Sequence, residues 1–175
     1  MNDYTDPDTW WAEYERCYRD RAWSDRRYRD QIDELLRAGL TAPLIDIGCG
    51  LGFLVECGRQ SGIPTTGLEA SEKALELARR RHPEADLRHW TSGEPLPFAD
   101  ASVGGAVLVE FIDHIPRKHN EALFAELRRV LKPDGVLQVQ SPSRFNKFDE
   151  DKGHIDFFSP SEFRRFITDY GFQIL

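Results

Sequence analysis

The sequence predicts a doubly wound α/β fold, in which helices cover both faces of a mostly parallel sheet. Short apolar runs alternate with amphipathic helical patterns from residue 41 onward, as such a fold requires. Glycines directly follow the first apolar run and permit a sharp turn from strand into helix. The 175 residues, 40% of them hydrophobic, suit one domain with a real core. We therefore divide it into an N-terminal helical cap or lid, residues 1–40, and an α/β core, residues 41–175.

The N-terminal part is predicted to be helical and rich in aromatic rings. From residue 9 onward, Trp11, Tyr14 and Tyr18 recur at helical spacing, and a second helix is expected over residues 24–38, ended by Gly39. The apolar side of that second helix consists of Tyr28, Ile32, Leu35 and Leu36. The rings of the first helix either pack the helices together or line a ligand pocket, and the spacing leaves both interpretations open.

The first strand, residues 43–47, leads into the glycine-rich turn and then into a helix over residues 51–60. Its Asp46 is a charged residue in an apolar strand, which is unfavourable unless the carboxylate is paired or faces a ligand. The spacing Gly-Cys-Gly-Leu-Gly at residues 48–52 places the third glycine one position earlier than the dinucleotide-binding pattern requires. This spacing argues against a nicotinamide cofactor.

The second strand, predicted over residues 63–68, ends in Glu69. A carboxylate at the tip of a strand beside the glycine turn can accept both hydroxyls of a ribose. The competing structural interpretation is an acidic residue at a helix start, because Ser71 caps the helix predicted over residues 71–81. The pattern of turn plus acidic residue favours ribose binding.

The same alternation continues through the second half of the chain. The predicted elements there are a third strand at residues 85–90, a fourth strand within residues 102–116, a helix around residues 123–131, a turn at residues 132–135 and a fifth strand at residues 136–140. Ser-Pro-Ser-Glu at residues 159–162 is a capping box, and its helix is expected to end near Gly171.

Together these motifs resemble the class I S-adenosylmethionine-dependent methyltransferases, over roughly residues 40–175. The glycine turn matches the family's Asp-x-Gly-x-Gly-x-Gly motif, and Leu-Pro-Phe at residues 96–98 matches the end of its adenine-contacting loop. Leu-x-x-Val-Leu-x-Pro-x-Gly at residues 127–135 resembles another motif of this family. His-x-x-x-Phe-Ser at residues 154–159, followed by a helix and Gly-Phe, is similar to small-molecule methyltransferases of the ubiquinone-biosynthesis and polysaccharide-cluster type. The resemblance implies a Rossmann-like sheet and S-adenosylmethionine, or its product S-adenosylhomocysteine, as cofactor.

The resemblance also implies a set of site residues. Those implied for cofactor binding are Asp46, Gly48, Cys49, Gly50, Gly52, Glu69, Ala70, Ser92, Gly93, Leu108 and Glu110. Those implied for the substrate pocket are Trp11, Phe111, Phe145 and Phe157. Where the family usually has an aspartate that accepts from the adenine amino group, this chain has Ser92, a weaker neutral acceptor.

The reaction that the resemblance implies is in-line methyl transfer to an oxygen, nitrogen or carbon nucleophile of a small molecule. The protein then mainly aligns the reactants and excludes water, and a hydroxyl acceptor would also benefit from a general base. The catalytic candidates are His154, His114, Tyr14 and Tyr18. For His114 we favour a structural role at a helix start, whereas His154 lies in a loop expected to roof the acceptor pocket, and for it the roles of base and of structural residue both stay open.

Two other classes of function stay open beside this one. One is a subunit that binds S-adenosylmethionine but is non-catalytic or needs a partner. The other is a different enzyme on the same fold, which uses this cofactor for another reaction or uses a nicotinamide. Binding without turnover on a panel of acceptors would favour the subunit.

Composition excludes several partners. The net charge of −7 argues against a nucleic-acid partner, because neutralising phosphates requires a basic face. No apolar run is long enough to span a membrane, and the N-terminus lacks the features of a signal peptide. Three cysteines without metal-ligand spacing predict neither a metal site nor a disulfide framework, which fits a reducing cytoplasm.

The C-terminal residues carry a further expectation. This fold normally ends with a sixth strand and an antiparallel seventh strand inserted between the fifth and sixth, and we expect residues 172–175 to begin the sixth. The seventh strand is then missing, and the fifth strand must stay open at its edge, pair with residues 172–175 or borrow a strand from another copy. We therefore expect either a homodimer or a chain that stops short of its natural end.

Overall fold

The computed structural model describes residues 23–142 and 156–175 of the chain. In chain order their elements are α1 Trp23–Arg37, β1 Leu44–Ile47, α2 Phe53–Gln60, β2 Thr65–Glu69, α3 Glu72–Arg81, β3 Asp86–His89, β4 Val103–Val109, α4 Arg117–Val130, β5 Leu131–Gln140 and α5 Pro160–Asp169. Each strand before the C-terminal region was predicted within a few residues, because apolar runs bounded by glycine and proline are local signals.

The five strands form one sheet in the order β3-β2-β1-β4-β5, and every neighbouring pair is parallel. All four residues of β1 are buried, as expected for the central strand of a sheet that is covered on both faces. The strand order reverses between β1 and β4, where Asp46 lies opposite Gly67 of β2 and Val107 of β4. In sheets of this kind, ligands bind beyond the carboxyl ends of the strands at this reversal.

Helices cover both faces of the sheet, which confirms the doubly wound fold. One core cluster joins α1 and α2 to β1 and β4, and a second joins α4 and the region of α5 to the opposite face. Leu44 belongs to the first cluster, whereas Ile45 and Ile47 belong to the second, as alternation along a strand requires. Phe124 lies fully buried in the second cluster, and its ring centroid is 4.9 Å from that of Phe166 in α5.

Of the predicted cap, residues 1–40, the structure describes residues 23–40, which contain α1, and the chain leaves that helix at Gly39, whose φ of 94° only glycine adopts readily. Ile32 and Leu35 are buried as predicted, but Leu36 is 48% exposed and its predicted burial is wrong. None of the helices in the described ranges is long and apolar enough to cross a bilayer.

The predicted turn at residues 132–135 is a bulge within one longer strand. Val103 pairs with Leu131 and Gly105 pairs with Val136, so β5 advances five residues while β4 advances two. The extra residues of β5 leave the hydrogen-bonded ladder and then rejoin it. Glycine at position 135 suits this path, because an added Cβ would crowd the carbonyl oxygen of Lys132.

The predicted sixth strand is wrong, because residues 172–175 form no strand. Phe172 instead packs its ring perpendicular to that of Phe124, with centroids 6.1 Å apart, while Leu175 is 96% exposed. These residues therefore follow the helical layer rather than the sheet. Within the described residues, β5 has β4 as its one neighbour, so residues 172–175 do not cover its outer edge.

Candidate cofactor and active site

The turn after β1 contains three glycines in the left-handed region, with φ values of 77° at Gly48, 51° at Gly50 and 74° at Gly52. Other L-residues rarely adopt this conformation, which explains why the sequence repeats glycine at alternate positions. The backbone N–H groups of Gly48 and Cys49 donate to the Leu68 carbonyl at 2.8 and 3.0 Å. These two bonds hold the turn, called here the glycine loop (residues 48–52), against the end of β2.

The glycines of the loop have different neighbours. A Cβ added at Gly48 would overlap the ring of Phe111, which comes from the turn after β4. A Cβ at Gly52 would lie 3.3 Å from Leu87 and 3.5 Å from Ala78, so this glycine permits close packing of α2 on β3 and α3. The loop therefore meets Phe111, a predicted pocket residue, at Gly48 and the protein interior at Gly52.

Glu69 ends β2 and links three parts of the site. Its Oε2 accepts from the Gly50 N–H at 3.1 Å, and its Oε1 accepts from the N–H groups of Ala70 and Ser71, both at 2.9 Å. Burial raises the pKa of this carboxyl, while the three N–H donors act to lower it. A carboxylate offers about four acceptor positions, so these bonds leave capacity for a ligand hydroxyl.

Asp46 is a second buried carboxyl, only 5% exposed in β1. Burial, and secondarily the charge of Glu69, raise its pKa to about 7. Across residues 23–142 and 156–175, no group donates a hydrogen bond to it, so a ligand that brings a donor or a positive charge would satisfy this carboxyl.

The chain turns sharply at the carboxyl end of β4. Glu110 has a φ of 51°, which is uncommon for a residue with a side chain and occurs often at functional sites. Its N–H donates to the Gln140 carbonyl at 2.8 Å, and the Gln140 side chain donates back to Glu110 Oε1 at 3.3 Å. This turn directs the Phe111 side chain toward the glycine loop. The ring centroids of Phe111 and Trp90 are 6.4 Å apart.

The loop after β3 carries Ser92 and Gly93, the two residues predicted for adenine. The Trp90 N–H donates to the Glu69 carbonyl at 3.0 Å, so this loop begins beside the end of β2. Ser92 Oγ lies 3.0 Å from Nδ1 of His119, in the first turn of α4. No sequence pattern pointed to His119, because it lies 27 positions after Ser92 and nothing in the sequence pairs the two.

A buried polar network lies where β4 and β5 end. Asp113 is fully buried; its Oδ1 accepts from the Ser141 hydroxyl at 3.0 Å and its Oδ2 lies 3.5 Å from Nε2 of His114. Its carbonyl accepts from the Asp156 N–H, and the Asp156 carboxylate accepts from the Arg117 guanidinium at 2.8 Å. Apart from His114, no sequence pattern pointed to these residues as a functional group, because they become partners only where the ends of the strands meet.

The remaining predicted residues fall into two groups. Trp11, Tyr14, Tyr18, Phe145 and His154 lie outside the described residues, and their roles stay predictions. The second group, described next, lies within the described residues but presents little side-chain surface to a ligand.

The side chains of Cys49 and Leu108 are buried, so only their backbones could reach a ligand. The Cys49 sulfur packs on Gly67 of β2, where burial raises the pKa of its thiol. Phe157 is half-buried in the segment that Asp156 ties to α4. Ala70 contributes its backbone N–H to Glu69.

These groups fit a nucleoside cofactor. Buried carboxylates at the ends of two neighbouring strands supply acceptors for hydroxyl and amino groups, and the left-handed glycines let a ligand approach the backbone. In the part of the chain that the structure describes, no cluster of three His, Cys, Asp or Glu side chains could hold a metal ion.

Comparison with known proteins agrees with this arrangement. Residues 45–139 match the family model described as a methyltransferase domain. A probable S-adenosylmethionine-dependent methyltransferase of Mycolicibacterium smegmatis is 34% identical over 120 residues, which cover 68% of this chain and 45% of that protein. A trans-aconitate 2-methyltransferase of Azoarcus sp. is 31% identical over 144 residues, which cover 71% of this chain and 53% of that protein.

A solved structure has a similar fold. The S-adenosylmethionine-dependent methyltransferase of Archaeoglobus fulgidus superposes with a TM-score of 0.75 at 17% identity, covering 91% of this chain and 73% of that one. This similarity supports the fold alone. The chain spans about half the length of the curated relatives that it matches.

Proposed function

The chain belongs to the methyltransferase domain family, and from that premise we propose that it methylates a small molecule with S-adenosylmethionine as methyl donor. The observation that carries this proposal is the joint position of the glycine loop, Glu69 and Asp46 at the carboxyl ends of β1 and β2, beside the reversal of strand order. The trans-aconitate methyltransferase among its relatives supports a small organic acceptor. The nucleophile is an oxygen, nitrogen or carbon atom.

The residues that would hold the cofactor follow from their chemistry. Glu69 would accept hydrogen bonds from the ribose hydroxyls, and the glycine loop would bind the amino-acid part of the cofactor. Asp46 would offset the positive charge of that amino-acid part. Ser92 and Gly93 would contact the adenine. When bound, S-adenosylmethionine supplies a methyl group on a positively charged sulfur, which is already activated for transfer.

The protein's part in the reaction is alignment, exclusion of water and, for a protonated acceptor, removal of a proton. We propose His114 as the general base, with His154, Tyr14 and Tyr18 as further candidates that act from segments outside the described residues. Asp113, fully buried and held by Ser141, lies 3.5 Å from Nε2 of His114, where a carboxylate charge would stabilise the imidazolium that forms when a base takes up a proton. This geometry supports a catalytic role more strongly than the sequence does.

Calorimetric titration tests the cofactor assignment. We expect the chain to bind S-adenosylmethionine and S-adenosylhomocysteine but not NAD. Replacing Glu69 by Ala should weaken binding by about 1.5–3 kcal/mol, the scale of hydrogen bonds to a charged group. Glu76→Ala, on the exposed side of α3, is the matched control and should leave the affinity unchanged.

The outcomes separate the alternatives. A wild-type chain that binds neither sulfur compound contradicts the proposed function, whereas unchanged affinity in Glu69→Ala removes only Glu69 from the ribose role. Binding without methyl transfer to a panel of small acids, alcohols and amines favours a subunit that needs a partner. We also propose a cytoplasmic location and no nucleic-acid partner, which the net charge of −7 and the reduced thiol of Cys49 support.

A further inference from the structure

We propose that Ser92 and His119 act as one unit that recognises the amino group of the cofactor's adenine, with His119 as a positioning residue. The proposal rests on the proposed function, because it assumes that S-adenosylmethionine binds at this edge of the sheet. It concerns the selectivity of the site for adenine over other bases.

The first observation is the contact itself. Ser92 Oγ lies 3.0 Å from Nδ1 of His119, and both side chains are half-buried. Gly93, with a φ of 99°, lies beside the imidazole ring, where an added Cβ would be in ordinary van der Waals contact at 3.4 Å. The loop after β3 therefore packs against the His119 ring in addition to sharing the hydrogen bond with it.

The second observation is where the loop lies. Its preceding residue Trp90 donates its N–H to the Glu69 carbonyl at 3.0 Å. A nucleoside whose ribose hydroxyls bond to Glu69 carries its base toward the neighbouring loop, because the two strand ends are adjacent in the sheet. Ser92 thus lies within the range of the base and not of the amino-acid part.

The chemistry of the pair decides what it can recognise. A serine hydroxyl can donate or accept, so alone it distinguishes poorly between the amino group of adenine and a carbonyl oxygen at the same position. We assign to His119 the neutral tautomer that carries its proton on Nε2, in which Nδ1 accepts the hydroxyl hydrogen of Ser92 and the lone pairs of Ser92 Oγ remain for a donor. The imidazole thereby makes Ser92 an acceptor, which is the property that an amino group requires.

The loop contains one carboxylate that could have served instead. Glu94 accepts from the Thr91 N–H at 3.2 Å and is exposed, so it closes the turn of the loop. Glu94 retains acceptor capacity, but its exposure to water weakens any hydrogen bond that it would make to a base, whereas Ser92 and His119 are half-buried.

The experiment compares two ligands by calorimetry in the full 175-residue chain. One is S-adenosylhomocysteine, and the other is S-inosylhomocysteine, in which a carbonyl oxygen replaces the adenine amino group. The variants are Ser92→Ala, which removes the hydroxyl, His119→Phe, which keeps a ring against Gly93 without a nitrogen, and His119→Asn, whose amide oxygen can still accept from Ser92. Thermal denaturation checks that each variant is folded.

We expect wild type to prefer the adenosyl ligand by about three- to tenfold, the effect of one neutral hydrogen bond. Ser92→Ala and His119→Phe should bring this ratio close to one, the latter because the freed hydroxyl can rotate and donate to the carbonyl. His119→Asn should retain the preference. This rescue would distinguish positioning from packing, since phenylalanine fills the space better than asparagine.

Three results would overturn the proposal. Full preference in His119→Phe would mean that the ring only packs, and an equal loss for both ligands in Ser92→Ala would place the hydroxyl away from the base. If His119→Asn loses the preference for the adenosyl ligand as His119→Phe does, an acceptor at position 119 is not what sets that preference. A wild-type chain that binds neither ligand would instead contradict the proposed function itself.

Discussion

Two buried carboxyls dominate the candidate site at the scale of single residues. Glu69 is stabilised in its charged form by three backbone donors, whereas Asp46 has no hydrogen-bond donor among the residues that the structure describes. The difference explains why burial raises the pKa of Asp46 to about 7. The protein therefore keeps at the centre of its site a carboxyl whose charge is unfavourable until a ligand compensates it.

Replacing Asp46 by Asn should stabilise the ligand-free protein above pH 7. The Asp46 carboxyl has a pKa of about 7 when folded and 3.8 as the reference value, so the folded state binds more protons between these values. The contribution of the protonated Asp46 carboxyl to the free energy of unfolding is complete below about pH 4 and is lost as the pH rises to about 7. The Asp46→Asn variant cannot ionise at this position and avoids that loss. We expect it to gain about 1–3 kcal/mol in the free energy of unfolding at about pH 8.

Urea denaturation of wild type and variant at about pH 5 and about pH 8 measures this effect. Asp134→Asn, at an exposed position of the bulge in β5, is the control and should leave the pH dependence unchanged. If the Asp46 variant keeps the wild-type slope of stability against pH, a group other than Asp46 carries the proton.

Replacing His114 by Gln should lower the turnover of a hydroxyl or ammonium acceptor by about 10²–10⁴, the usual contribution of a general base. Its affinity for S-adenosylhomocysteine should stay within about twofold of wild type, because the proton is taken from the acceptor. Steady-state kinetics and calorimetry on the same sample separate the two effects. Equal losses of turnover and cofactor affinity would assign His114 a structural role, and unchanged turnover would exclude it as the base.

At the scale of elements, the glycine loop shows how a backbone conformation and a side chain from another element combine. Gly48 and Gly62 have nearly the same φ, 77° and 74°, but their surroundings differ. A Cβ at Gly48 would overlap the Phe111 ring, whereas among the described residues nothing beyond the adjacent residues of the chain lies within 4 Å of a Cβ at Gly62. The two glycines thus separate the cost of a left-handed backbone from the cost of displacing Phe111.

Gly62→Ala should destabilise the protein by about 1 kcal/mol, the cost of a left-handed alanine. Gly48→Ala should cost more and should also weaken S-adenosylhomocysteine binding by at least about tenfold, because the displaced Phe111 ring disturbs the loop. The double variant Gly48→Ala with Phe111→Ala should recover part of the stability. Equal stabilities of the two single alanine variants in urea would show that Phe111 adapts without cost.

Sequence patterns predicted elements more reliably than contacts between them. The strands, the glycine loop and the capping box at Ser159 depend on neighbouring residues, and the structure confirms them. The prediction of a sixth strand was wrong because a strand needs a neighbour to pair with, and Phe172 instead packs on the helical layer. The Ser92–His119 pair and the network around Asp113 join positions far apart in sequence, which only the arrangement of strand ends brings together.

At the scale of the whole molecule, the chemistry and the open edge lie at different places. The glycine loop, Glu69 and the turn at Glu110 gather at the carboxyl ends of the central strands, whereas β5 lies at the end of the sheet order. Changes at that edge should therefore leave the cofactor site intact, except at Gln140, which holds the turn at Glu110. This separation allows association through β5 without closing the site.

We predict that the chain forms a homodimer through the outer edge of β5. Over residues 136–140, β5 offers backbone N–H and C=O groups on the side away from β4, and its apolar side chains are only half-buried. Pairing with a second copy would satisfy those groups without residues 172–175, which do not reach the edge. Light scattering over a dilution series should give twice the chain mass of 20.2 kDa at the higher concentrations. A monomer at every concentration, with unchanged binding of S-adenosylhomocysteine, would show that the edge is tolerated as it stands.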